Sequence, residues 1–275
     1  PYIHINLETV NEQLQLQFTQ QRFFSNPQTQ MDNSQRWQVP LVIRYADDTG
    51  IKMIRHVLTD TTGILNLPVD GDLHWCYTNA DEIGFYRQNP NGALLTKILN
   101  HLEQLNPSEQ MGLLANQWAL TRSGHQNIAQ FLDTLAALVS KSDNYNLLFE
   151  IVDRLRALEQ RVEDTGNANA LEQFRHWVKS MFKDRLETLG FEPRPGENNE
   201  ISQQRISTIN ALTTIAHDPD SIATARALAE REALDATSVD PNLAALLVNI
   251  NAQFGDAGVF QQHVNIYQAR KSNSA

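Results

Sequence analysis

The chain of 275 residues has one cysteine, Cys76, no apolar run near the length of a membrane-spanning helix, and fewer basic than acidic side chains, 22 against 32. Each scarcity excludes something. A single thiol forms no intrachain disulfide, which rules out a secreted disulfide framework. Without about 18 consecutive apolar residues no helical membrane anchor is expected. A net charge of −10 with no basic patch leaves nothing to offset repulsion from a phosphate backbone or an anionic lipid surface. Nucleic acid and membrane are therefore not expected as partners, and a lone thiol suits a reducing, cytoplasmic setting. H-E-x-x-H, G-x-S-x-G, G-x-x-x-x-G-K-[ST] and G-x-G-x-x-G are also lacking, and the histidines are scattered singly.

What is present begins with alternation. The opening PYIHINLETV has no Met, no basic stretch and no apolar signal segment, and Ile3, Ile5 and Leu7 already alternate; the chain reads as cut from something longer. Leu14, Leu16 and Phe18 form one alternate run, and Trp37, Val39, Leu41, Ile43 and Tyr45 another, each on one face of a strand. DDTG at 47–50 supplies a hairpin turn before IKMIRHVL. GILNLPV and DLHWCY follow, and about six to eight short strands in an antiparallel sandwich are expected. Pro40 within the best run implies an edge position or a bulge.

After residue 90 the period becomes about 3.6. Ile128, Leu132, Leu135 and Val139 trace one helix face, and Leu148, Ile151, Leu155 and Leu158 the next. Asn106-Pro107, Asp218-Pro219 and Asp240-Pro241 pair a capping side chain with a proline at the first helical position, where its missing N–H is not needed. GFEPRPGENN (190–199) and RVEDTGNANA are breaks between helices. The expectation is about eight to ten helices joined by short turns, an all-α superhelical array of helix pairs of the HEAT or armadillo kind, since each apolar stripe needs a neighbour to bury it. The predicted domains are a β-sandwich over 1–89 and a helical, solenoid-like region over 90–275.

Candidate chemistry is sparse. DGDLHWC puts Asp70, Asp72, His74 and Cys76 on one face of an extended strand. Those are metal-ligand types, yet side chains on one straight strand diverge rather than converge on an ion. The reading retained has Leu73, Trp75 and Tyr77 facing the core and the polar set facing water. Cys76 has no base beside it and reads as a structural thiol. Asp47-Asp48 and Glu163-Asp164 read as surface charge. Arg154 and Arg161 share a helix side with Glu159 and Glu163 nearby for i,i+4 pairs, a solvated face. Trp118, with Met111 and Leu114 at helical spacing, reads as core.

The most specific phrase is WCYTNADEIGFYR, Trp75 to Arg87. Gly84 in a strand-like run implies a close backbone approach or a kink. Phe85 and Tyr86 offer apolar surface to opposite sides, and Arg87 can reach carbonyls or a carboxylate. With Trp75 and Asn79 they read as a rigid packed corner where sandwich meets helices; the plainer alternative is an ordinary last strand with a bulge. The phrase resembles the W-x-x-x-N-x-x-x-x-G-[FY]-Y-R signature of the aminopeptidase N-type zinc metallopeptidases. TQQRF (19–23) resembles their Q-x-R-F segment, and PSEQMGLLANQWALTRSG (107–124) is similar to their P-x-x-R-x-x-L-x-x-D-x-x-x-L-x-x-x-G helix. SDNYNLLFEIVDRL and the later DPDSIATARAL and VDPNLAALLVNINAQFGDAGVFQQHVNIY are similar to successive helices of the same region. Gln110 stands where Arg is usual and Asn116 where Asp is usual, so a neutral pairing of those two sites is expected.

The resemblance implies the C-terminal sandwich and helical part of such an enzyme. Its catalytic motifs, H-E-x-x-H with a downstream Glu and G-x-M-E-N, are lacking here. It implies that zinc and catalysis belong to the parent's catalytic domain, that this part has no zinc or peptidase activity alone, and that its helices cap the cleft and control peptide entry. The implied partners are the parent's own catalytic and N-terminal domains and peptide substrates; no substrate-binding residue is marked by a local motif. The ending NIYQARKSNSA falls where longer family members continue, so either the last helices are missing or the domain is a short one. The rival reading is a stand-alone helical-repeat interaction scaffold with an attached sandwich.

Overall fold

In the computed structural model, residues 1–26, 28–29 and 34–272 are described; the last three residues of the ending lie outside them. β1 (Tyr2–Val10) turns through Asn11-Glu12, at φ 48° and 63°, into β2 (Gln13–Gln21). Two left-handed central residues are what a two-residue type I′ hairpin requires. β3 (Val39–Asp47) turns through Asp48-Thr49 into β4 (Gly50–Leu58), with Gly50 at φ 120°. β5 (Thr62–Asn66), β6 (Trp75–Tyr77) and β7 (Arg87–Pro90) complete two sheets of order β5-β2-β1-β7 and β4-β3-β6.

The pairing is antiparallel as expected, with one departure: β7 runs parallel to β1, Tyr2 opposite Arg87. β6 belongs to the other sheet, so the chain crosses between sheets before β7 and escapes the reversal that a hairpin imposes. Ile3, Ile5, Leu16, Phe18, Leu41, Ile43 and Tyr45 are buried, as their alternation implies. Trp37 precedes β3 and is half-buried. Pro40 is on the central strand of its sheet, but β6 pairs only with Arg44 to Ala46, so at Pro40 β3 has β4 alone beside it.

Asp47 corrects the reading of surface charge. It is buried and accepts from the Asp70 N–H at 2.9 Å, Lys52 Nζ at 2.7 Å, and the Thr49 hydroxyl and N–H at 2.7 and 2.9 Å. Those donors, the Asp70 N–H foremost, hold its carboxyl well below the usual range.

From Asn91 the chain is helical: α1 (Gly92–Asn100), α2 (Pro107–Arg122), α3 (Ile128–Lys141), α4 (Tyr145–Glu163), α5 (Ala168–Leu189), α6 (Asn199–Asn210), α7 (Pro219–Leu234), α8 (Pro241–Phe254) and α9 (Ala257–Ser272). From α1 to α8 each starts behind an Asn or Asp whose side chain accepts a first-turn N–H, including the three caps paired with proline. The protein is thus two small sheets followed by helices packed in pairs.

The chain divides into two compact units, Pro1–Ser142 and Asp143–Ala275. The first contains both sheets and α1 to α3, with α1 against β6 and α3, and α2 against β7 and α3. Phe131, Leu135, Leu138 and Val139 form the buried face of α3, while Ile128 is exposed because it opens the helix. In the second unit α4 packs on α5 and α6, and α7 on α8. Leu148, Ile151, Leu155 and Leu158 are buried there, as is the cluster of Ile209, Leu228, Leu243, Leu247 and Ile250. Among the described residues no helix is long and apolar enough to cross a membrane.

Candidate functional site

The corner is built where β6 ends. Asn79, fully buried, closes a loop on itself: its Oδ1 accepts the Gly84 N–H at 2.8 Å and its Nδ2 donates to the Gly84 carbonyl at 3.0 Å. Inside that loop Asp81 and Glu82 both take left-handed φ, 57° and 54°, a conformation that β-carbon sterics disfavour. Contacts from outside hold them. The Asp81 N–H donates to Glu109 Oε1 at 3.2 Å, and its carboxylate accepts from Asn106 Nδ2 at 2.6 Å. Gly84 is required by space rather than by φ, since an added Cβ would lie 2.3 Å from the Tyr86 ring and 2.8 Å from Asn79 Oδ1.

Glu109 is the hub. Asn106 and Glu109 form a reciprocal capping box at the start of α2, Asn106 Oδ1 accepting the Glu109 N–H and Glu109 Oε2 the Asn106 N–H, both at 3.0 Å. The same carboxylate pairs with Arg44 of β3 through two hydrogen bonds, one at 3.1 Å. Arg44 also donates to the Gln104 carbonyl at 2.9 Å and lies 5.1 Å over the Trp75 ring. One buried carboxylate therefore ties β3, the left-handed loop and α2 together. A negative charge in a helix's first turn also suits the helix dipole.

Glu82 has a different environment. Its carboxyl is hydrogen-bonded by the Tyr77 hydroxyl, by Asn79 Nδ2 at 3.2 Å and by Gln88 Nε2 at 3.2 Å. Burial raises its pKa, with Glu109 adding to the effect and the Tyr77 and Asn79 hydrogen bonds opposing it. α2 presses on it, since a Cβ at Gly112 would lie 2.0 Å from the Glu82 carboxyl carbon. Around it Tyr86 Oη donates to the Thr78 carbonyl at 2.6 Å and the Thr78 hydroxyl to Gln88 Oε1 at 2.8 Å. Burial pushes the Tyr77 and Tyr86 phenols and the Cys76 thiol up, away from ionisation. These groups are arranged to hold the chain, since a nucleophile needs the opposite shift.

The structure brings Trp75, Asn79, Gly84, Tyr86 and Arg87 into this corner, Arg87 donating to Asn116 Oδ1 at 3.4 Å. Phe85 is 100 % exposed and packs against nothing here. Tyr77 was read from sequence only as core-facing, and it is fully buried; Arg44, Glu82 and Glu109 were not singled out, the capping box being the one local signal for Glu109. The expected pairing of Gln110 with Asn116 does not form. Gln110 instead donates to the Leu102 and Leu105 carbonyls, both at 3.1 Å, and accepts from the Ser142 hydroxyl at 2.6 Å.

The charged face of α4 also pairs otherwise than expected, Arg154 with Glu150 and Glu159 with Arg175 at 2.8 Å. Trp118 is half-buried, its ring 5.1 Å from that of Phe131. The DGDLHWC set is dispersed, Asp70 on Lys52 at 2.6 Å, His74 on Asp48 at 3.1 Å, and Cys76 in the core. Among the described residues no group of three or more His, Cys, Asp or Glu is placed to hold a metal. Beside the corner lies an open cleft of ≈ 370 Å³, with Pro1, Phe23, Phe85, Tyr86, Arg87 and Ala115 on its walls.

The family model described as ERAP1-like C-terminal domain matches residues 75–275, starting at the first residue of the corner motif. Among curated proteins the chain is similar to Aminopeptidase 2 of Candida albicans, 27 % identical over 259 residues and 92 % of this chain. It is 27 % identical over 206 residues, 73 % of its length, to the Puromycin-sensitive aminopeptidase of Caenorhabditis elegans. It is 22 % identical over 284 residues, 99 % of its length, to Aminopeptidase N of Lactococcus lactis. The chain spans 27 %, 21 % and 31 % of those three proteins respectively.

Proposed function

The chain belongs to the ERAP1-like C-terminal domain family of aminopeptidases, and from that premise we propose that it is the non-catalytic C-terminal part of a zinc aminopeptidase that removes N-terminal residues from peptides. The helical region caps the active-site cleft of the parent's catalytic domain and restricts which peptides enter, selection by exclusion and orientation rather than by chemistry. The observation that carries this reading is the family match over 75–275, joined to relatives that are aminopeptidases by name and are matched over less than a third of their length.

Among the described residues no donor set fits a zinc site, so no step through zinc is assigned to them. Zinc and its ligands belong to the preceding catalytic domain of the parent. In that parent, 1–89 acts as the sandwich domain and 90–275 as the helical domain. The corner of Trp75, Asn79, Gly84, Tyr86 and Arg87 braces the last strands on α2. A lone buried thiol suits a reducing compartment such as the cytoplasm.

The test compares the purified 275-residue chain with the chain extended by the residues encoded upstream of Pro1. Aminoacyl-anilide turnover and stoichiometric zinc are expected in the longer chain alone. Turnover by the shorter chain, or an upstream region without a zinc-ligand motif, overturns the reading. Removal of the helical region from the longer chain is expected to widen the range of peptide lengths cleaved, and an unchanged range overturns the gating role.

A further inference from the structure

Among the described residues β4 is the longest strand at a sheet edge: it ends the order β4-β3-β6 and runs nine residues, whereas the other edge strands, β5, β6 and β7, have five, three and four. The direction of its free backbone groups follows from β3. The Ala46 carbonyl accepts the His74 N–H at 2.9 Å, so it is turned toward β6 and away from β4. Arg44, Val42 and Pro40 follow by alternation, and at Pro40 that orientation asks for no N–H in the ladder with β4. Their partners across the ladder are Met53, Arg55 and Val57, as Ile51 is the partner of Ala46. Those four residues of β4 therefore exchange no hydrogen bonds with β3 and turn their N–H and C=O groups to the open edge. Their side chains also share the outward face. Ile51, Met53 and Val57 are 55, 51 and 54 % exposed, and Arg55 is exposed between them with no partner among the described residues.

We propose that β4 is a docking edge for an extended segment of another protein, alternately apolar and carrying one carboxylate, which adds antiparallel as a further strand. Edge strands are ordinarily blunted by a lysine, a proline or a bulge. β4 has no proline and no bulge, its register with β3 being unbroken from Gly50 to Leu58. Its lysine, Lys52, belongs to the other face and is held by Asp47 and Asp70 at 2.7 and 2.6 Å. A strand meets the free N–H and C=O groups at their own spacing, which a helix or a compact ligand does not, and antiparallel pairing is the stronger of the two directions. Its alternate side chains lie beside Ile51, Met53 and Val57, which selects apolar residues, and beside Arg55, which selects a carboxylate. A second copy of β4 does not supply that carboxylate, because GIKMIRHVL contains no acidic residue.

The probe is the acetylated and amidated peptide Val-Thr-Glu-Thr-Val-Thr-Val, which in antiparallel register sets its Glu beside Arg55 and a Val beside each of Val57, Met53 and Ile51. Amide hydrogen exchange of the chain is followed by NMR. Without peptide, the N–H groups of Ile51, Met53, Arg55 and Val57 are expected to exchange fast, and those of Lys52, Ile54 and His56, bonded to β3, slowly. With peptide, the first set is expected to slow at least about tenfold. Unchanged exchange overturns the docking. Slow exchange of the first set in the free chain overturns the open edge, and if light scattering then reports a dimer, a second copy is the occupant. N-methylation of the peptide at its Glu removes a donor aimed at β4 and is expected to abolish the protection, whereas N-methylation at the following Thr, whose N–H points away, leaves it. Equal effects of the two overturn strand addition. Replacing the peptide's Glu by Lys is expected to weaken binding about fivefold, the size of a cross-strand charge pair, and Arg55→Glu in the protein to restore it. A loss that Arg55→Glu does not reverse overturns the carboxylate.

Discussion

Both compact units bury an ion pair at a helix end, and the two pairs are mirror images. In the first unit the anion is the buried member: Glu109 is fully enclosed in the first turn of α2, and Arg44 reaches it from β3. In the second the cation is enclosed: Arg205 donates to the Leu189 and Gly190 carbonyls at the end of α5, at 3.0 and 3.1 Å, and pairs with Glu197 at 2.6 Å. Each charge complements the dipole of the helix end it meets. They differ in reach. Glu109 accepts from Arg44, Asp81 and Asn106, so three segments converge on it, whereas Arg205 secures one helix end and the loop that follows it. Buried ionic groups earn their place by what they join, and the first joins more.

Glu109→Gln is accordingly the most damaging change. It leaves one acceptor for four donors, strands the Arg44 charge and frees the left-handed loop. A loss of about 3–5 kcal/mol is expected, the range for breaking a buried pair from one side. Urea titration followed by the fluorescence of Trp75, under the Arg44 guanidinium, measures it. Arg205→Met keeps the apolar stem, and Glu197, 14 % exposed at its side chain, can rehydrate. About 2 kcal/mol is expected for the carbonyls left without their donor. Equal losses in the two variants would erase the contrast between the corners. Gly84→Val comes next: its Cβ meets the Tyr86 ring, which the Thr78 hydrogen bond holds in place, at about 1–3 kcal/mol of overpacking strain. A melt that is unchanged would show that the ring can yield.

The two corners were unequally legible in the sequence. Alternation and the 3.6 period located strands and helices, because each element buries one face. Proline marked three helix caps; Asn91, Asn127, Asn144, Asn167 and Asn198 cap without proline and so carry no such mark. The motif residues Trp75, Asn79, Gly84, Tyr86 and Arg87 were visible because they lie within one short phrase. Arg44 and Glu109 are 65 positions apart, and no local period encodes a contact of that span. Asp47 was misjudged for a related reason: a turn sequence shows that the backbone reverses, not that Asp70 arrives from elsewhere to bury the carboxylate.

Acidity sharpens the comparison further. Glu82 and Glu197 are shifted in opposite directions. Burial raises Glu82, whose hydrogen-bond donors among the described residues are the neutral Tyr77, Asn79 and Gln88. Burial is the largest single influence on Glu197 and acts upward, but the Arg205 hydrogen bonds, a backbone hydrogen bond with Arg194 and the charges of both arginines together outweigh it and leave the group lowered. The contribution of Glu82 is fully present below its ordinary value of 4.5 and is lost as pH rises through the raised, folded value. That of Glu197 is present above the ordinary value and lost as pH falls through the lowered one. Stability measured from about pH 3 to pH 8 is therefore expected to fall less with rising pH in Glu82→Gln than in the unaltered protein. In Glu197→Gln it is expected to fall less with falling pH. Parallel profiles for the two variants would show that neutral and cationic donors are equivalent here.

The smallest effect belongs to the most conspicuous side chain of the motif. Phe85 and Tyr86 are adjacent and both aromatic, yet one is 100 % exposed and the other 8 %. A side chain that meets nothing loses nothing on truncation, so Phe85→Ser is expected to change the stability of this chain by no more than about 0.5 kcal/mol. Removing the Tyr86 ring would instead open a cavity beside Asn79 and Gly84. A denaturation midpoint for Phe85→Ser well below that of the unaltered chain would mean that the ring is already packed within these residues, and that the exposed and buried halves of the corner are one structure.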